Sequence, residues 1–242
     1  PTSVLFVLPW GRSWIIGTTD TAWHEGLTHP VATAADVTYL LEQANNSLSS
    51  HLTADDVIGA YAGLRPLVDH EGQTESEISR EHTIRRPLPG LVTIAGGKYT
   101  TYRVMAEDTV NALAEDLGEL PPSRSNEVPL LGAAEPQEVF TECRNHPGAR
   151  NIDDEHLMRL SHRYGRLTNE LLDTVALNED LAAEMPGGAG TLAVEIVHAA
   201  THEGALHVDD VLTRRTRLYL EAGDRGLVAA HESATIVDDE EA

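Results

Sequence analysis

Lys98 is the only lysine of the chain; the other 16 of its 17 basic residues are arginine. Lysine gives a compact point charge with rotatable donors on a flexible stem, which the planar arginine fork does not. It sits in the run Leu91-Val92-Thr93-Ile94-Ala95-Gly96-Gly97-Lys98-Tyr99-Thr100-Thr101-Tyr102-Arg103. An apolar stretch passes through two glycines straight into helical spacing, so a strand, a tight turn and a helix start are expected. Such a turn aims backbone N–H groups and the positive end of a helix dipole at whatever lies above it. An anionic group is the partner this chemistry suits. A solvent-facing lysine in an ordinary strand-to-helix turn accounts for the same spacing, because glycine turns before helices are common.

Three arginines share this setting. Arg65 ends Tyr61-Ala62-Gly63-Leu64-Arg65-Pro66-Leu67, Arg80 lies in Ser79-Arg80-Glu81-His82, and Arg103 follows the glycine turn. In so acidic a chain, cations at strand ends and turns are candidates for gripping an anionic small molecule. Arginine holds phosphate or carboxylate bidentately and lysine adds a point charge. Simple neutralisation of nearby acids is the competing account, and for Arg103, on the exposed side of a helix, it is preferred. It is weaker for Arg65, where Pro66 fixes the backbone and Gly63 permits close approach. His82, beside Arg80, reads either as an acid–base group or as a surface histidine.

Other chemistry-bearing residues fit blander roles. Among the 12 histidines, His24/His29 and His198/His202 are the best-spaced pairs. His198 and His202 share a helical face beside Glu203 but lack the HExxH order, so helix packing is expected and no metal. Arg214 lies four residues after Asp210, which predicts an intrahelical ion pair. Trp10, Trp14 and Trp23 are expected to pack rather than recognise. Cys143, the one cysteine, excludes an intrachain disulfide and suits a reducing compartment as an inert thiol.

The net charge of −22, from 39 acidic against 17 basic residues, argues against nucleic acid as a partner, since neutralising phosphates needs clustered cations. With 41% hydrophobic residues the chain can bury a core, and no apolar run approaches the roughly 20 residues of a membrane span. The opening Pro1-Thr2-Ser3 carries no initiator methionine, so an amino-terminal piece is expected to precede it.

The elements that must position the cations follow from periodicity. Val4–Leu8 and Trp14–Thr18 predict an antiparallel hairpin. Thr33 is a good N-cap for a helix with apolar residues at 37, 40, 41, 44 and 48, and Thr53 with Asp56 starts a shorter turn. Residues 57–67 read as an irregular strand ending at Arg65, 79–84 as polar and extended, and 91–95 as a buried strand. A helix over 101–117 follows, its apolar face formed by Val104, Ala106, Val110, Leu113 and Leu117. Residues 118–126 have the composition of a linker. Beyond it the pattern is wholly helical, near 136–143, 153–164, 168–177, 192–203 and 208–221. The expected domains are 1–120, α+β, and 127–235, all-α, with an acidic tail at 236–242.

Taken in order and spacing, Ile15-Ile16-Gly17-Thr18-Thr19-Asp20-Thr21, Tyr61–Leu67, Ser79–His82 and Ala95–Arg103 resemble the FAD-dependent glycerol-3-phosphate dehydrogenases. His202-Glu203-Gly204-Ala205 and Asp209–Arg217 resemble that family's C-terminal helical domain. The resemblance covers about residues 1–230. It implies an α+β fold: part of an FAD-dependent oxidoreductase, with an antiparallel substrate-domain sheet and the last βα unit of the flavin fold, followed by an all-α C-terminal domain. It implies oxidation of sn-glycerol 3-phosphate to dihydroxyacetone phosphate, with hydride transfer to FAD and electrons passed to a quinone. Carried onto this sequence, Arg65, Arg80 and Lys98 bind substrate, and Arg65 and His82 are the catalytic candidates. Gly96, Gly97, Lys98, Tyr99, Thr100 and Thr101 face the flavin. The family also implies a cytoplasmic location, with peripheral contact at the inner face of the membrane and a homodimer among the possible partners.

One departure matters. The G-x-G-x-x-G turn that holds a dinucleotide pyrophosphate is absent from these 242 residues, and Gly187-Gly188-Ala189-Gly190 lies between helices. The chain is therefore expected to be the C-terminal part of such an enzyme, without FAD or turnover when expressed alone. Two alternatives remain open: a non-catalytic helical interaction module, and a flavin amine or amino-acid oxidase. The latter needs one arginine for a carboxylate and gives no reason for Lys98 plus two arginines.

Overall fold

The computed structural model describes residues 5–240 except 12, 66 and 69–80. The first hairpin, β1 (Phe6–Trp10) and β2 (Ser13–Gly17), is antiparallel, with Val7 opposite Ile16 and Trp10 opposite Ser13. Helix α1 (Ala34–Ser47) begins at the expected cap. The Asp36 carboxylate accepts from the Thr33 N–H at 2.9 Å, and the Asp36 N–H donates to the Thr33 hydroxyl at 3.2 Å. This reciprocal box satisfies donors that a helix start leaves open. A 3-10 turn, Ala54–Asp56, stands where Thr53 and Asp56 predict it.

The second hairpin joins β3 (His82–Leu88) to β4 (Leu91–Gly96), antiparallel, pairing His82 with Gly96 and Ile84 with Ile94. A 3-10 turn at Tyr99–Thr101 leads into α2 (Tyr102–Ala112), and α3 (Ala114–Leu117) completes the expected helical stretch after a break at Leu113. Helices α4 (Pro136–Cys143), α5 (Asp154–Tyr164), α6 (Thr168–Leu177) and α7 (Ala193–Thr201) fall where the periodicity puts them. Pro136 at the first position of α4 and the Asp153 carboxylate on the His156 N–H at the start of α5 fix two of those starts.

Four expectations need correction. No strand forms among the described residues of 57–67, because two glycines and a proline punctuate that stretch. Strand β4 is not buried but alternates, since a two-stranded sheet covers only one face. Val104, Val110 and Leu117 are exposed, because α2 turns Met105, Asp108 and Ala112 towards the hairpin instead. The helix expected over 208–221 breaks into α8 (Val208–Asp210), a π turn at Val211–Arg215 and α9 (Leu218–Glu221). A final helix, α10 (Leu227–Glu240), runs into the segment expected as a tail.

By its contacts the chain divides into two units, Pro1–Ala62 with Leu131–Ala242, and Gly63–Leu130. The core lies in the first. One cluster gathers Val139, Leu157, Leu160, Leu171, Leu172 and Val175; a second gathers Ile196, Ala199, Val211 and Leu218. Helix α7 serves both, and every residue from Ala193 to Ala199 is buried. A helix apolar all round belongs in the middle of its neighbours. Its exceptions, Glu195 and His198, are buried polar groups and therefore need partners. The architecture is α+β: small antiparallel hairpins and a helical C-terminal region.

Candidate functional site

The site is built by β3, β4 and α2. On β3, His82, Ile84 and Arg86 alternate onto the face that α2 covers. The His82 Nε2 lies 2.9 Å from the Asp108 carboxylate at the middle of α2. Arg86 donates to the Ala112 carbonyl at 2.5 Å and to the Asp116 carboxylate at 2.6 Å, with Glu115 at 3.2 Å. A cation at the last carbonyls of a helix complements the dipole. The hairpin is thus fastened to the helix at two heights, and the strand-to-helix turn lies at the His82 end.

That turn admits only glycine. Gly96 and Gly97 have φ of +80° and +79°. A Cβ at Gly96 would stand 2.8 Å from the Glu81 carbonyl oxygen. One at Gly97 would stand 2.5 Å from the Met105 sulfur and 3.3 Å from the His82 Cβ. Two consecutive left-handed residues are strained for any side-chain-bearing residue. They lay the backbone flush against β3 and α2. Lys98 then returns to extended geometry, and Thr101 takes up both of its backbone groups. The Thr101 hydroxyl accepts from the Lys98 N–H at 3.2 Å and donates to its carbonyl at 2.9 Å.

The Lys98 side chain is exposed and makes no ion pair with the described residues. Arg103 differs: it pairs with Glu107 at 2.8 Å, one helical turn on, and reaches Ser125, so the neutralising role expected of it holds. Tyr99 and Tyr102 present exposed rings 6.1 Å apart beside the turn. Together they offer an aromatic surface, a point charge and a helix start at one edge.

Of the residues picked from the sequence, the structure brings together His82, Gly96, Gly97, Lys98 and the Tyr99–Thr101 turn. Arg65 is exposed in the irregular stretch, where its carbonyl accepts from the Leu67 N–H at 2.9 Å. Arg80 lies outside the described residues. Sequence reading missed Asp108, Met105 and Arg86. The signal for Met105 and Asp108 was the helical face 101, 105, 108, 112 running beside the more apolar stripe at 104 and 110; that for Arg86 was its alternation with His82 along β3.

Elsewhere the expectations for single residues divide. His198 stacks on His202, ring centroids 4.8 Å apart, and meets the Tyr164 edge, as packing predicts. Arg214 pairs with Asp210 at 3.2 Å and also with Asp209. Cys143 is buried, and burial pushes its thiol pKa up, which keeps it unreactive. Trp14 does not pack: it is 64% exposed.

Comparison with known proteins bears out the resemblance. Residues 123–241 match the family described as the C-terminal domain of alpha-glycerophosphate oxidase. Over 97% of its length the chain is 42% identical to a glycerol-3-phosphate dehydrogenase of Mycobacterium leprae, covering 40% of that protein. The mitochondrial glycerol-3-phosphate dehydrogenase of Arabidopsis thaliana is 32% identical over 89% of the chain and 36% of that protein. The crystal structure of a glycerol-3-phosphate dehydrogenase from Bacillus halodurans complexed with FAD superposes with a TM-score of 0.76 at 28% identity, covering 98% of this chain and 47% of that one. The chain is thus similar along nearly its whole length to proteins named glycerol-3-phosphate dehydrogenase. It spans about 40% of the length of the curated relatives it matches.

Proposed function

We propose that this chain is the C-terminal portion of an enzyme that oxidises sn-glycerol 3-phosphate to dihydroxyacetone phosphate with FAD. The observation that carries the reading is the exposed Lys98 beside the double-glycine turn, in a chain that otherwise uses arginine. The substrate phosphate is a dianion, and Lys98 with Arg65 and Arg80 would provide a point charge and two forks for it. Bound FAD supplies the two-electron acceptor. The residues here fit one edge of it: Gly96 and Gly97 seat the turn against β3 and α2, Tyr99 offers an exposed ring, and the Thr100–Thr101 helix start favours negative charge. The pyrophosphate-binding turn would come from the rest of the polypeptide, which would also cover Val104, Val110 and Leu117. In this reading residues 1–120 belong to the flavin and substrate domain, and 127–235 are the helical domain.

Oxidation of an alcohol takes a hydride from carbon and a proton from oxygen. His82 has two readings, as acceptor of that proton and as a brace between β3 and α2. The contact with Asp108 supports the brace, and His82→Gln, which can keep that contact, separates them by leaving turnover intact. The acceptor downstream is proposed to be a quinone, reached by a peripheral enzyme: no helix among the described residues is long and apolar enough to cross a membrane.

The test uses the full polypeptide. Glycerol 3-phosphate added without oxygen should bleach the flavin band at about 450 nm, a band that belongs to the cofactor. Lys98→Met should then lower kcat/KM by about 100-fold or more, in the range of lost charge-assisted contacts to a phosphate, while Arg103→Ala stays within about threefold. A flavin that stays oxidised would refute the substrate. A polypeptide without flavin would favour the interaction-module reading.

A further inference from the structure

The helical region holds a buried polar chain that the proposed reaction does not use. It starts at Glu195 on α7, whose side chain is fully buried. Its Oε1 accepts from the Leu192 N–H at 2.8 Å and from Arg159 at 2.5 Å; its Oε2 faces the Tyr164 hydroxyl at 3.1 Å and the Arg163 Nε at 3.5 Å. Arg163 passes the connection on by donating to the carbonyl of Arg215, the last residue of the π turn. Arg215 in turn donates to the Glu203 carbonyl at 2.6 Å. Thr216 closes the turn with both its N–H and its hydroxyl on the Val211 carbonyl. The backbone just before Arg217 is therefore held from three sides. Such five-residue helical turns are uncommon and concentrate at functional places.

Arg217 emerges from that frame over Trp10, the last residue of β1, with its guanidinium carbon 4.0 Å from the ring centroid. Burial, and then the charges of Arg163 and Arg159, push its pKa down, and its carboxylate neighbour Glu221 stands off at 3.7 Å. A guanidinium so placed gains from an aromatic face. Among the described residues the buried indole N–H of Trp10 has no acceptor, so the ring is gripped by its face and not by its polar edge.

We propose that Arg217 is the positioning residue through which the helical domain grips the first hairpin and holds it for catalysis. This rests on the dehydrogenase reading, in which that hairpin belongs to the substrate sheet. The helical domain then has a part in the reaction. The Glu195–Arg163 chain sets the backbone, and Arg217 transmits its position to Trp10.

The experiment is a double-mutant cycle in the full flavin-loaded polypeptide. Arg217→Gln, which keeps most of the packing, and Trp10→Leu are each expected to raise KM for glycerol 3-phosphate about five- to tenfold with kcat within about threefold, the scale of one cation–aromatic contact. The double variant should be no worse than the poorer single one, because both remove the same contact. Trp10→Tyr, which keeps a ring, and Arg214→Ala, on the neighbouring exposed pair, should behave as wild type. Effects that multiply in the double variant would overturn the proposal. So would unchanged KM in both single variants. The same cycle read by urea unfolding needs no activity. Coupling there with a wild type that fails to oxidise glycerol 3-phosphate would overturn the catalytic role, while leaving the grip.

Discussion

The region from Pro136 onward and the unit Gly63–Leu130 solve folding in opposite ways. The helical region buries whole side chains in two clusters around α7, and even its internal carboxylate is matched by two arginines, a tyrosine and a backbone N–H. The unit Gly63–Leu130 has no buried residue among those described. Its described residues form one hairpin and the helices α2 and α3, fastened by His82–Asp108 and by Arg86 at the helix end. With no described residue buried, this unit gains little stability from apolar burial. Yet this unit carries the lysine, the glycine turn and the exposed aromatic pair. The proposed site thus lies where packing is thinnest, the arrangement expected of a site completed by something outside it.

The comparison breaks first at Glu195. Removing a buried partner from an ion-paired network leaves uncompensated charge and costs about 3–5 kcal/mol. Glu195→Ala should therefore lower stability by that order in chemical unfolding, since Arg159 and Arg163 lose their shared carboxylate. Lys98→Met, at an exposed position, should stay within about 0.5 kcal/mol. If the two variants cost the same, the helical region does not hold the stability, and the contrast falls.

A second pair sharpens it. Leu172 is fully buried in the first cluster, and Leu172→Ala should cost about 2–5 kcal/mol. Val110 is 52% exposed on the outer face of α2, so Val110→Ser in these 242 residues should stay within about 0.5 kcal/mol. In the full polypeptide the same serine should cost more, about 1 kcal/mol or above, if the outer face of α2 is covered there. Equal costs of Val110→Ser in both contexts, measured by urea unfolding, would remove the support that this face lends to a C-terminal portion.

Legibility followed the same division. Helices α4 and α6 could be read to the residue because their apolar spacing and buried faces agree. The double-glycine turn was legible because only glycine tolerates its geometry. The outer stripe of α2 misled, since Val104 and Val110 look like a core face and only the contacts of His82 and Arg86 reveal that α2 turns the other way. The stretch 208–221 keeps helical periodicity through a π turn, which Thr216 closes on the Val211 carbonyl and Arg163 holds from another helix. Asp108 escaped notice because its partner lies 26 residues away on strand β3. Spacing reveals what a segment does with its own neighbours; pairings across segments do not print a local signal.

The smallest expected effect tests the helical region's tolerance of buried polarity. His198 is buried on α7, stacked on His202 and set against the Tyr164 edge. Burial pushes its pKa below the ordinary 6.5, with the Glu203 charge opposing and the His202 charge assisting; Glu170 and Glu195 also oppose. The unfolded chain then binds a proton that the folded chain refuses between the depressed value and 6.5. Stability must rise with pH across that window, be fully present above about 6.5, and fall as the solution is acidified through it. Replacing His198 by Phe keeps a flat ring against Tyr164 and removes the proton. The melting temperature of His198→Phe should therefore lose less between about pH 7.5 and about pH 5.5 than that of the parent. Carboxylates elsewhere titrate in both proteins and cancel in the difference. Parallel profiles for the two would mean that His198 takes up its proton in place, and that the centre of the helical region is less closed than its packing indicates.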